Sequence, residues 1–189
     1  METTVITNRV YPGLLCSGIE FFNDNGEVKV LSGGKIKPFT ELPFAIIELL
    51  NEAIDADKES KMALLDWHPN SKYQRLEQFV SCRFGGLDFQ ADILHNMLQE
   101  GEYHSCPKRG QCDAEGVLCK LPVFNNQRLS SSKIQLMILL ASNYTNTVIS
   151  EIMAIPEGSY HLLKKKLYAH LNVQTKQEAA LIARDLNLV

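Results

Sequence analysis

Between residues 145 and 171, TNTVISEIMAIPEGSYHLLKKKLYAHL, apolar side chains recur at helical spacing in two short blocks separated by a turn. Val148, Ile149, Ile152 and Met153 make one face of the first block, with Thr145 ahead of them as the expected N-cap. In the second block Pro156 stands where a first-turn proline is tolerated, and Tyr160, Leu163, Leu167 and Leu171 share a face. Gly158, His161, Leu162, Lys165 and Ala169 fall on the other side, with Lys164 and Lys166 at its margins.

A short helix, a tight turn and a second helix that buries one face and offers lysines on the other is the plan of a helix-turn-helix reader of DNA. The surrounding residues sharpen this. Leu129-Ser130, then Leu136, Leu139, Leu140 and Ala141, then Asn146, Ile149, Ile155, Ser159, Leu167, Tyr168, Leu171, Val173, Glu178 and Ala179 run in register without a gap. Residues 129–188, about a third of the chain, thus resemble the LuxR/GerE-type domain of bacterial transcription regulators. The resemblance implies an all-α four-helix domain that binds double-stranded DNA. It further implies a homodimer formed through the last helix, which opens on the capping box Thr175-Lys176-Gln177-Glu178. Burial of that helix against the other three is the competing expectation. The residues expected at DNA are Thr145, Asn146, Ser159, His161, Leu162, Lys164, Lys165 and Lys166. A hydroxyl at Ser159 near a helix N-terminus suits a phosphate, Leu162 suits a thymine methyl, and the lysines suit the backbone. Tyr160 and Leu163 depart from the family's usual Val and His, and His161 from its usual Lys.

A net charge of -3 argues against nucleic acid only until it is divided by position. Residues 127–189 carry seven Lys plus Arg against four Asp plus Glu, a charge of +3, and residues 1–126 carry twelve against eighteen, a charge of -6. Phosphate contacts depend on local cations, so a mildly basic reader on an acidic body is compatible with DNA. No apolar run reaches the length of a membrane span and the N-terminus lacks the blocks of a signal peptide, so a soluble, cytoplasmic protein without a membrane partner is expected.

The first two thirds read as a mixed α+β domain, residues 1–120, joined to a helix-turn-helix domain, residues 128–189, by a linker at 121–127. Residues 5–22 are β-like, and Asn23-Asp24-Asn25-Gly26 leads into Val28-Lys29-Val30-Leu31, a hairpin closed by Ser32-Gly33-Gly34. Thr40 is the expected N-cap of a helix to about Ala56, with Pro43 in its first turn and Phe44, Ile47, Leu49, Leu50, Ala53 and Ile54 as its stripe. Helices are expected again over 62–67 and 71–81, interrupted by His68-Pro69-Asn70. A loop at Gly85-Gly86 and a helix over 91–100, stopped by Gly101, complete this part.

Four of the five cysteines, Cys82, Cys106, Cys112 and Cys119, suggest a metal site. The last three lie within fourteen residues of a polar loop with few large apolar side chains to hold it. Disulfides are disfavoured in a reducing compartment, which leaves a metal that takes thiolates. Tetrahedral zinc is the expectation and an iron–sulfur cluster the alternative, with His104 or Cys16 able to replace one ligand and Lys108, Arg109 and Lys120 beside the thiolates. Zinc would fix the loop's structure, whereas a cluster would make a redox sensor.

The five histidines are dispersed, no glycine-rich phosphate loop precedes a helix, and no carboxylate pair stands out, so an enzyme is not expected. The alternative to DNA reading is a protein-interaction module that uses the same two-helix scaffold to hold RNA polymerase or another regulator.

Overall fold

Asn25-Gly26 and Gly33-Gly34 set the architecture at the N-terminal end. A computed structural model of the chain describes residues 10–101, 103–186 and 188–189. Strand β1 (Glu20–Asp24) turns at Asn25-Gly26 into β2 (Glu27–Ser32), which turns at Gly33-Gly34 into β3 (Lys35–Pro38). All four turn residues have positive φ, 50° and 86° in the first turn and 58° and 74° in the second. Two left-handed residues match the twist of antiparallel strands, and glycine or asparagine adopts them at little cost. The expected hairpin is therefore present and a third strand extends it; the part of that expectation before residue 10 lies outside the described residues.

The chain is a mixed α+β protein with seven α-helices and small sheets among the described residues. It divides into two compact units, Met1–Glu102 with Gly116–Cys119, and Tyr103–Glu115 with Lys120–Val189.

In the first unit, helix α1 (Phe44–Ala56) follows a 3₁₀ turn at Phe39–Glu41. Thr40 lies inside that turn and does not cap the helix; Pro43 holds the N-cap position, with extended backbone and no side-chain cap. The buried stripe is Ile46, Leu50 and Ile54, spaced by four, and Phe44 is 76% exposed. Leu50 and Ile54 of the expected stripe are thus buried and Ile47, Leu49 and Ala53 half-buried, while Ile46 joins the inward face in place of Phe44. Asp57 ends α1 and caps α2 (Lys58–Trp67), its carboxylate accepting from the Ser60 amide at 3.1 Å. His68-Pro69-Asn70 interrupts the helices as expected, and Ser71 then caps α3 (Lys72–Arg83). Phe21, Leu50, Leu64, Phe79, Val80 and Phe84 form the centre of this core.

The helix expected over 91–100 is replaced by a hairpin, β4 (Ile93–Leu94) and β5 (Met97–Leu98). His95 and Asn96 turn it with φ of 51° and 59°, a left-handed pair that no helix accommodates. An Ile19–Ile93 bridge brings the hairpin to the N-terminal side of β1.

Within the second unit, the residues 121–127 expected to be a linker form, with Arg128, a hairpin of β6 (Val123–Phe124) and β7 (Gln127–Arg128). Asn125 and Asn126 turn it, again with positive φ. Helices α4 (Ser131–Ala141), α5 (Asn146–Ile152), α6 (Glu157–Leu171) and α7 (Lys176–Asp185) follow. Leu129, Ile134, Leu136, Met137, Leu140, Ile149, Tyr160, Leu167, Leu171, Ala179, Ala183 and Leu188 make their common core. Ala179 and Ala183 on α7 are fully buried in it, and the small side chains let α7 approach closely. No helix among the described residues is long and apolar enough to cross a membrane.

Three carboxyl groups are buried together beside β1. Oε1 of Glu20 accepts from the Asp88 amide at 2.9 Å, and Oδ2 of Asp92 accepts from the Phe21 amide at 2.6 Å. Oε2 of Glu20 has no hydrogen-bond partner among the described residues. Burial first, and the Asp88 charge in addition, push the Glu20 carboxyl up from its ordinary 4.5 to about 8. The folded state therefore holds a proton that the unfolded chain gives up, so the Glu20 contribution to stability is constant below about pH 4.5, falls from there to about pH 8, and then levels off. Glu20→Gln should flatten this decline and raise stability at pH 8 by on the order of 3 kcal/mol. Urea unfolding at pH 5 and pH 8 checks it.

Candidate nucleic-acid interface

Helix α6 has one wet face and one dry face, and the spacing of its residues explains both. Tyr160, Leu167 and Leu171 are buried and Leu163 is half-buried. Gly158, Ser159, His161, Leu162, Lys165, Lys166 and Ala169 are exposed. These positions follow the helical repeat, so the exposed set forms one continuous stripe. At its ends Gly158 and Ala169 are small, which leaves the helix backbone approachable.

The start of α6 lacks a cap. Pro156 is the N-cap residue, one place earlier than the first-turn position expected, and supplies no side-chain acceptor. The first amides of the helix therefore keep their hydrogen-bonding capacity beside the exposed Ser159 hydroxyl, an arrangement suited to an oxyanion. Glu157 in the same turn opposes such a ligand electrostatically. At the other end Asn172 takes the left-handed C-cap conformation, and the Val173 amide returns to the Tyr168 carbonyl at 3.0 Å.

Helix α5 is set against α6 by one buried phenol. The Tyr160 hydroxyl donates to Oδ1 of Asn146 at 2.6 Å, and the Lys164 ammonium reaches the same oxygen at 3.2 Å. Burial, and then the neighbouring Tyr168, raise the Tyr160 phenol above its ordinary range, which keeps it a donor. Lys164 also lies 5.4 Å from the centre of the Tyr168 ring and 5.9 Å from that of Tyr160. Lys164 is thus engaged within the unit, while Lys165 and Lys166 project outward. Thr145 is the N-cap of α5 as expected, its hydroxyl accepting from the Val148 amide at 3.4 Å. Ile149 is buried as expected and Ile152 is 47% exposed.

The C-terminal turn of α6 is tied to the β6–β7 hairpin through His170. Lys133 contacts Nδ1 of His170 at 2.7 Å and the Phe124 carbonyl contacts Nε2 at 3.2 Å. An ammonium can only donate and a carbonyl can only accept, so these two contacts suit the tautomer that carries its proton on Nε2. The Asn125 amide donates to the His170 carbonyl at 3.3 Å, closing the attachment.

The cysteines form no comparable site. Cys82 and Cys119 belong to the first unit, Cys106 and Cys112 to the second. Among the described residues no group of three or more His, Cys, Asp or Glu side chains is placed to hold a metal ion. The loop around them is held by other means. In the first unit Arg83 donates from Nε to the Leu118 carbonyl at 2.7 Å and from Nη2 to the Val117 carbonyl at 3.1 Å, with Asp57 and Ser60 on the same nitrogen. Leu118 itself is buried. In the second unit Arg109 lies 4.3 Å from the centre of the Tyr103 ring, donates to the His104 carbonyl at 3.1 Å and pairs with Glu115 at 3.8 Å. Glu115 in turn accepts from the Gly110 amide at 2.7 Å. His104 is buried, its Nδ1 has no partner among the described residues, and burial followed by the Arg109 charge lowers it to about 4, so it is neutral. Residue spacing alone did not disclose Tyr160 as the α5–α6 lock or Arg83 as the loop anchor. The available signal was a lone arginine in the apolar run Phe79-Val80-Ser81-Cys82-Arg83-Phe84.

No family model, curated protein or solved structure matches the chain.

Two outcomes follow from this geometry. Tyr160→Phe should cost about 1 kcal/mol in denaturant unfolding, with larger chemical-shift changes at Asn146 than elsewhere in α5. Cys112→Ser should leave stability within about 0.5 kcal/mol of wild type and insensitive to chelator; a chelator-dependent loss would reinstate thiolate ligation.

Proposed function

We propose that the chain is a DNA-binding transcription regulator that lays the exposed stripe of α6 in the major groove of duplex DNA. The observation carrying this reading is that stripe: His161, Leu162, Lys165 and Lys166 exposed on the face opposite the buried Tyr160, Leu167 and Leu171. Support comes also from the LuxR/GerE-like residue pattern of 129–188 and from the +3 charge of 127–189.

The residues then take distinct parts. Lys165 and Lys166 meet backbone phosphates, and Ser159 with the uncapped amides of α6 meets one more. His161 and Leu162 reach base edges, Leu162 against a thymine methyl. Lys164, Asn146 and Thr145 act mainly by holding α5 and α6 in register, as their bonds within the unit favour. The buried inner face of α7 uses up Ala179 and Ala183, so a dimer formed through this helix would rest on outward residues such as Leu181, which is 52% exposed. Metal plays no part in the reading.

An apolar residue as exposed as Leu162, at 53%, in the middle of a cationic stripe also suits a protein partner such as polymerase. Charge dependence separates the two. Fluorescence anisotropy with a mixed-sequence duplex should give an affinity that falls with salt. Lys165→Ala should weaken binding several-fold and reduce the slope of log K against log salt by about 0.9. Absence of binding to any duplex, or binding indifferent to salt, overturns the reading; retention of a protein partner by the Lys165→Ala protein would then favour the alternative.

A further inference from the structure

A cleft of about 100 Å³ lies in the first unit between α1, α2 and α3. Its floor is apolar, made by Ile54 and Leu65, and its rim is cationic, made by Lys61, Lys72 and Arg75. The cations differ in how far they are satisfied. Lys61 is paired with Asp55, also on the rim, at 3.0 Å. Lys72 makes no ion pair among the described residues, and Arg75 meets no carboxylate.

Arg75 is nevertheless fixed in place. Its Nη1 donates to the carbonyls of His68 at 2.7 Å and Pro69 at 3.1 Å. This holds the guanidinium by one nitrogen, while Nε and Nη2 make no hydrogen bond among the described residues. The Asn51 side chain is fixed in a similar way, its amide nitrogen donating to the Ile47 carbonyl at 2.8 Å. That leaves Oδ1 of Asn51 as an acceptor on the cleft wall.

We infer that this cleft binds a small carboxylate that also carries a hydroxyl or ammonium group. A positioned guanidinium with two remaining donor nitrogens matches the two oxygens of a carboxylate, and Lys72 adds a second positive charge. The acceptor on Asn51 takes the ligand's hydroxyl or ammonium hydrogen. The apolar floor takes a short aliphatic body, which inorganic phosphate lacks. A cleft of about 100 Å³ suits a small ligand, so the ligand is a hydroxy or amino acid of few carbons. The proposal stands apart from DNA binding, since every residue it uses belongs to the first unit and none to α6.

The test is a titration of the full-length, nitrogen-15-labelled protein with lactate at constant ionic strength, with lactamide and inorganic phosphate as separate arms. Lactate should produce saturable amide shifts centred on Asn51, Leu65 and Arg75, with a dissociation constant in the millimolar range. Lactamide, which lacks the charge, should not. Lys72→Gln, a change at an exposed position, should weaken lactate binding about tenfold, and Arg75→Lys, which keeps the charge and loses the fork, should weaken it similarly. Absence of saturable shifts with lactate, shifts of equal size with lactamide, tighter binding of phosphate than of lactate, or unchanged affinity in Lys72→Gln would each overturn the proposal.

Discussion

The second unit depends on a polar contact that its apolar core has made unavoidable. Tyr160 is fully buried, so its hydroxyl must find a partner or leave an unsatisfied donor in a dry interior. Oδ1 of Asn146, one residue into α5, is that partner. A hydrophobic side chain here would let α5 and α6 slide relative to each other, because apolar contacts are non-directional. A hydrogen bond of fixed length removes that freedom. The outward stripe of α6 is thus carried on a helix whose rotation about its own axis is set by Tyr160, and Lys164 reinforces the setting from the same oxygen.

Arg83 has the corresponding place in the first unit. A guanidinium with five donors can satisfy several acceptors at once, and here it gathers two backbone carbonyls, a carboxylate and a hydroxyl around one buried charge. The segment it captures, Gly116–Cys119, is far along the chain from the rest of its unit. A loop poor in apolar residues does need something to hold it, and the cysteines were the conspicuous donors in the sequence. The buried arginine supplies that role from outside the loop, where no local spacing rule would locate it. Arg109, stacked on Tyr103 and paired with Glu115, does the same for the preceding residues.

The helices were legible because their signals are local. Thr145 and the Thr175 capping box sit where a side-chain oxygen can reach an amide three residues on, and both are observed, whereas Thr40 falls in a 3₁₀ turn and caps nothing. The turns were legible only when they contained glycine. Asn25-Gly26 and Gly33-Gly34 announce two-residue hairpins, whereas His95-Asn96 and Asn125-Asn126 adopt the same left-handed pair without one. Asparagine tolerates that region because its short polar side chain can bond locally, so the geometry is accessible but the sequence is quieter. The first of these turns replaced an expected helix and the second an expected linker. At the α6 stripe the exposed and buried positions agree with the helical period, because burial on a single helix is a matter of angle alone; partners within the unit, such as Asn146 for Lys164, depend on another helix and were not readable.

Net charge illustrates the same separation between what a sum conveys and what a placement does. The chain is acidic, and residues 1–126 more so. Yet within those residues Lys72 and Arg75 face a cleft with one carboxylate on its rim, already paired to Lys61. Within 127–189 the excess of three cations is small, but Lys165 and Lys166 stand together on one exposed face with no carboxylate partner among the described residues. An anion approaching either place responds to charges within about 10 Å, the screening length in ordinary salt, and not to the total. A guanidinium held at one nitrogen over an apolar floor discriminates among small carboxylates by shape. A row of mobile ammonium groups on a helix discriminates little, and suits a polyanion whose phosphates recur along its length. The difference between these two cationic features therefore lies in how firmly each charge is held, which is a property of the packing around it.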